Sequence, residues 1–144
     1  MTSQAAGAPE GDTYDWYERA MGLLDAGNPA AAGVLLARLR DAEPGSASVL
    51  EAYARALFDT RQFEEAAAAF AELEELAPAN DYAYFGRGMS LWRLQEFPEA
   101  RDALAMAAVM RPERPEYGRA LSQVAATLRA REEAGMPPRG PVQP

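Results

Sequence analysis

The chain has 144 residues, 49% of them hydrophobic, with no cysteine, no histidine and a net charge of −8. Without thiols or imidazoles there are no disulfides, no thiolate nucleophile, no imidazole acid or base and none of the usual ligands of zinc, copper or haem, which leaves only carboxylate-bound hard cations. All 14 basic residues are arginine, and in residues 1–80 five of them face fourteen acids, against nine facing eight in residues 81–144, so the surface repels phosphate backbones and nucleic-acid binding is excluded.

Residues 1–11 (MTSQAAGAPEG) carry neither a basic cluster nor an apolar run and are expected to form a disordered tail. No stretch of about 18 apolar residues follows, so no membrane span is expected and the cytoplasm is the default compartment. From Thr13 onward the chain repeats with a period of 34, seen most plainly in Pro44, Pro78 and Pro112. The same spacing links Ala20, Ala54 and Gly88, then Leu23, Leu57 and Leu91, then Ala32, Ala66 and Ala100, then Leu36, Phe70 and Leu104. It also links Leu39, Leu73 and Ala107, and the larger residues Trp16, Leu50 and Tyr84.

Each copy (13–46, 47–80 and 81–114) resolves into two helices. In the second, Leu50, Ala54 and Leu57 form one stripe at helical spacing and Ala66, Phe70 and Leu73 another, with a turn near Thr60–Gln62. The small residue in each stripe lets helices approach closely, and the large ones fill the space beside it. Pro29 and Pro98 suit first turns, Asn80–Asp81 offers capping oxygens, and Ser48 with Glu51 reads as a capping box. The three periodic prolines stop the second helices. A last helix over 115–134 covers the third pair, since a repeat cannot bury its own apolar face alone. Residues 135–144 (GMPPRGPVQP) lack periodicity and are expected to be a second disordered tail whose loss leaves stability nearly unchanged.

Catalysis finds no support in these residues. The adjacent acids Glu64–Glu65, Glu74–Glu75 and Glu132–Glu133 point about 100° apart on a helix, so neither partner of a pair shares a proton or an ion with the other. They read as a solvated acidic face, and there is no phosphate loop, EF-hand or nucleophile elbow. The chain is expected not to be an enzyme and to need no cofactor.

A second stripe on the first helix of each copy is more informative. Tyr82, Phe85, Met89 and Trp92 repeat at offsets 3, 4 and 3, as do Tyr14, Tyr17, Met21 and Leu24, whereas the middle copy has Ser48, Glu51, Arg55 and Phe58. Two readings follow: core packing between successive first helices, or an apolar surface open to a ligand. Glu51 and Arg55, four residues apart, could bond to a peptide backbone or pair within their helix at about 0.2–0.5 kcal/mol, and the intrahelical pair is the expectation.

The chain resembles the tetratricopeptide repeat family over Thr13 to about Ala134. The second copy carries the pattern in Ala54, Leu57, Phe63, Ala66, Phe70 and Pro78, and the third in Tyr84, Gly88, Leu91, Phe97, Ala100, Leu104 and Pro112. The first has Trp16, Ala20, Ala32 and Pro44 but places Pro29 where the family prefers an aromatic residue. The resemblance implies an all-α right-handed superhelix of about seven helices occupying 12–134. Its concave groove would be lined by Tyr14, Tyr17, Met21, Glu51, Arg55, Phe58, Tyr82, Phe85, Met89 and Trp92, with Arg119 on the last helix. Relatives that grip the terminal carboxylate of chaperone tails use lysine, asparagine and arginine where this chain has Tyr17, Met21, Ala52, Tyr82 and Gly86, so that clamp is absent. The implied role is an adaptor or chaperone-like module, monomeric or weakly dimeric, that binds an extended or helical protein segment with apolar anchors and neutral or basic charge. The alternative is a structural subunit that oligomerises or docks through its terminal helix or outer surface.

Overall fold

Capping chemistry marks most of the helix starts in the computed structural model, which describes residues 12–141. Among those residues lie seven α-helices and no strand: α1 (Thr13–Asp25), α2 (Pro29–Ala42), α3 (Ala47–Asp59), α4 (Phe63–Leu76), α5 (Asp81–Arg93), α6 (Phe97–Met110) and α7 (Pro115–Glu133). Side-chain oxygens of Asp12, Asn28, Ser46 and Asn80 accept from the backbone N–H three residues on, satisfying donors the helix cannot pair itself. The cap of α3 is thus Ser46 and not Ser48, because the helix starts two residues earlier than a Ser48–Glu51 box requires. Pro44, Pro78 and Pro112 each lie just beyond a second helix, as their missing N–H demands. The tail expected over 1–11 lies outside the described residues.

The turn inside each pair is built the same way three times. Gly27, Arg61 and Gln95, 34 residues apart, all have positive φ, and the N–H of the following residue reaches back to the carbonyl of Leu23, Leu57 or Leu91 at 2.8–2.9 Å. Two of the three are not glycine, so the closing hydrogen bonds and the packing of the pair must outweigh the left-handed conformation there.

Packing follows the predicted stripes. Ala20, Leu24, Ala32, Leu36 and Leu39 build a first buried cluster, Leu50, Ala54, Ala66, Phe70 and Leu73 a second, and Phe97, Ala100, Leu104 and Val124 a third. Gly88 is required by close approach, since an added Cβ would lie 2.7 Å from Leu104 Cγ. Every helix packs on its neighbours in sequence. Beyond that, α1 comes close to α3, α3 to α5 and α5 to α7, whereas the backbones of α2, α4 and α6 stay apart from one another. The first helices therefore form a continuous layer while the second helices splay apart, which makes the first-helix layer the inner face of a curved array.

The last helix runs through the register where the earlier copies turn. Its Tyr117 and Val124 are buried, while Gly118, Ser122 and Gln123 are exposed, as a cover with a polar outer side should be. Arg131 stands one period after Phe97, and its guanidinium lies 4.8 Å from the centre of that ring and donates to the Pro137 carbonyl at 2.9 Å.

Residues 135–141 depart from the expected tail. After α7 ends at a left-handed Gly135, the chain runs back to the turn between α5 and α6, where Gly140 N–H donates to the Gln95 carbonyl at 3.0 Å and Arg139 pairs with Glu96 and Glu99. Composition and periodicity register the absence of an apolar face here but not these backbone and ionic anchors. Removing residues 135–144 is accordingly expected to lower the melting temperature measurably, with a difference that shrinks at high salt as the Arg139 pairs are screened. Scanning calorimetry of the two chains at low and high salt checks this.

Candidate functional site

All of the stripe residues except Arg119 lie on α1, α3 and α5, and Arg119 lies on α7 one period after Phe85, so the inner layer holds every one of them. At the start of α1, Tyr14 is 67% exposed and shares with Tyr17, Glu43, Ser46, Ser48 and Val49 a cleft of about 310 Å³. Tyr17 and Met21 are half-buried against the first cluster, and Leu24, the last of that stripe, is wholly core. Burial, then the nearby carboxylates of Glu51 and Glu18, hold the Tyr17 hydroxyl above the ordinary tyrosine range.

On α3 the expected Glu51–Arg55 pair is not formed. Glu51 Oε1 accepts from Asn80 Nδ2 at 2.9 Å, tying α3 to the residue that caps α5, and Arg55 turns the other way to Asp59 at 3.8 Å. Both partners lie within reach in the fold, and the cross-helix bond to Asn80 cannot be read from spacing along one helix. Phe58 meets Phe63 edge-on at 5.2 Å, with the Arg93 guanidinium over both rings.

The α5 residues are braced from behind. Tyr82 meets the buried Phe70 edge-on at 5.8 Å, Phe85 lies 4.8 Å from the buried Tyr117 ring at 30°, and Trp92 meets Phe97 edge-on at 5.3 Å. Met89 packs on the same third cluster. The Tyr82 hydroxyl is pushed up by burial, opposed by Arg55 and assisted by Glu51 and Asp59, which places that phenol beside the charged centre of α3. Neither reading of the second stripe holds alone, because Phe85, Met89 and Trp92 are each packed on core yet only half-buried. Replacing Phe85 or Trp92 singly by alanine is expected to cost about 1–3 kcal/mol in a urea melt, between the values for a surface residue and a fully buried aromatic.

Several residues of this face were missed in the sequence. Asp59 was readable as an acid four residues after Arg55, whereas Asn80 and Tyr117 reach the face only through contacts between helices distant in the chain. The bracing of Phe85 by Tyr117 carries no local signal. Elsewhere, a cleft of about 690 Å³ opens between the splayed α2 and α4 and is bridged by Arg40 and Glu72 at 2.8 Å. Among the described residues no cluster of acids is arranged to hold a metal ion, and no helix is long and apolar enough to cross a membrane.

Two family models described as tetratricopeptide repeat match the chain, one over residues 23–84 and one over 54–115. No curated protein matches it in sequence. Among solved structures it is similar to the first TPR of Spaghetti (RPAP3) bound to the HSP90 peptide SRMEEVD, with TM-score 0.78 and 19% identity over 86% of this chain and 98% of that one. It is also similar to MamA from Desulfovibrio magneticus RS-1, with TM-score 0.79 and 18% identity over 86% and 70%. The TPR domain of Arabidopsis OM64 gives TM-score 0.76 and 16% identity over 80% and 95%. At these identities the likeness is one of fold.

Proposed function

The chain belongs to the tetratricopeptide repeat family, and from that premise we propose that it is a non-catalytic, cytoplasmic protein–protein interaction module, adaptor or chaperone-like, holding a segment of a partner on its inner face. The observation that carries this reading is the contrast between the layers: the first helices close together along their backbones, the second helices apart and bridged between α2 and α4 by the Arg40–Glu72 side chains. A segment laid across α1, α3 and α5 meets one continuous track, whereas on the outer side it would cross gaps.

The side chains on that track suit the task. Tyr82, Phe85 and Trp92 are each braced by a ring beneath, so little rotamer freedom is lost when a ligand lands on them. Met21 and Met89 supply adaptable contact between the aromatics. The similar TPR of Spaghetti carries the peptide SRMEEVD, but at the positions that resemble its family's carboxylate clamp this chain has the buried Ala52 and Gly86, which present no charge. Apolar anchoring is the better match.

One observation favours a second reading, in which the outer surface docks on another subunit. Met106 and Val109 of α6 are 47% and 78% exposed, where α4 carries the exposed Glu72 and Glu75 one period earlier. Light scattering separates the two: a peptide-binding monomer keeps one mass over a wide concentration range, and a self-docking subunit does not. The direct test places a photo-crosslinking residue at Met21 or Met89, and at Val34 or Val109, in the native host. The inner positions should capture a common partner that the outer positions do not, and the reverse outcome would transfer the site to the outer surface.

A further inference from the structure

The charges on the inner face are not evenly spread. The middle first helix, α3, carries Glu51 and Asp59 and α1 carries Glu18, whereas the α5 stripe of Tyr82, Phe85, Met89 and Trp92 carries no charge. The one central cation, Arg55, faces Asp59 at 3.8 Å. Glu51 uses Oε1 to accept from Asn80, and its Oε2 accepts nothing from the described residues. The Tyr82 ring, on the neighbouring first helix, lies 6.3 Å from the Phe85 ring, so the apolar stripe of α5 begins beside the helix that carries this carboxylate. A carboxylate with a free oxygen suits an ammonium or guanidinium, through charge-assisted hydrogen bonding.

Resting on the reading that this face holds a protein segment, we infer that the segment is extended and places a lysine or arginine at Glu51, with a large apolar side chain over Phe85 and Met89 on the next first helix. Helices in contact lie about 8–10 Å apart and an extended chain advances about 3.3 Å per residue, so the cation and the apolar anchor should stand about three residues apart. An acidic segment would set its carboxylates against Glu18, Glu51 and Asp59 and is disfavoured.

The test is selection from a displayed library of random twelve-residue peptides on the full chain, followed by affinity measurement of the selected peptides. Glu51→Gln keeps the oxygen that Asn80 needs and removes the charge, and Met89→Ala removes the apolar contact. Selected peptides should be enriched in lysine or arginine about three positions from a large apolar residue, and Glu51→Gln should weaken them about fivefold, the upper scale of an exposed ion pair. Their dependence on salt should fall in the same variant. Peptides that lose affinity with Met89→Ala but carry no cation, or ignore Glu51→Gln, would overturn this inference and leave the binding face standing. If no selected peptide is sensitive to Met89→Ala, the binding face itself is wrong, and the inference falls with it.

Discussion

Ending the chain after Arg114 is expected to abolish cooperative folding, leaving three helix pairs that aggregate or melt below physiological temperature. The truncation removes α7, whose Tyr117 and Val124 are buried and whose Ala120, Leu121 and Leu128 pack on the third cluster. A side chain of that size contributes about 1.5–3 kcal/mol when fully buried, and the deletion also uncovers Phe85 and Met89. A domain has only about 5–15 kcal/mol to lose. It would also strip Asp81 of the Tyr117 hydroxyl that donates to it at 2.5 Å, leaving the start of α5 less firmly held. Circular dichroism and light scattering on the shortened chain decide the matter. A truncated protein that melts like the full one would show that α7 is not a cover.

Phe70→Ala should be the most damaging single substitution, at about 3–5 kcal/mol, because the ring is 1% exposed and its removal opens a cavity between two pairs. The ring stands directly against Gly86, where an added Cβ would fall inside contact distance of three of its carbons. Gly86→Ala is therefore expected to destabilise by about 1–3 kcal/mol through overpacking, even though alanine favours helix over glycine. The two changes should not add. With the ring gone, the methyl group introduced by Gly86→Ala occupies part of the vacated space, so the double variant should be no less stable than Phe70→Ala alone. Urea melts of all three variants measure this, and full additivity would mean that ring and glycine are not the matched pair that the packing describes.

The register of the array was legible because it is written in the chain: prolines and small residues recur every 34 positions, and the three helix pairs, their turns and most of the core stripes fall where that period puts them. What could not be read lies between elements. Arg55 pairs with Asp59 while Glu51 bonds to Asn80, 29 residues away, and that distance is closed only by the stacking of α3 on α5. The second stripe posed a choice between core and surface that sequence spacing cannot make, since Phe85 is half-buried by Tyr117 from a different helix later in the chain. The segment after Gly135 looked like a tail because anchoring through Arg139 and the Gln95 carbonyl needs no apolar pattern.

The central claim is that partners bind across the first helices. It is tested most directly by mapping amide chemical-shift changes in isotope-labelled full-length protein titrated with a library-selected peptide. Shifts concentrated in α1, α3 and α5, strongest around Tyr17, Glu51, Phe85 and Met89, are the expected result. Shifts concentrated instead in α2, α4 and α6, around Val34, Glu72 and Val109, would contradict it.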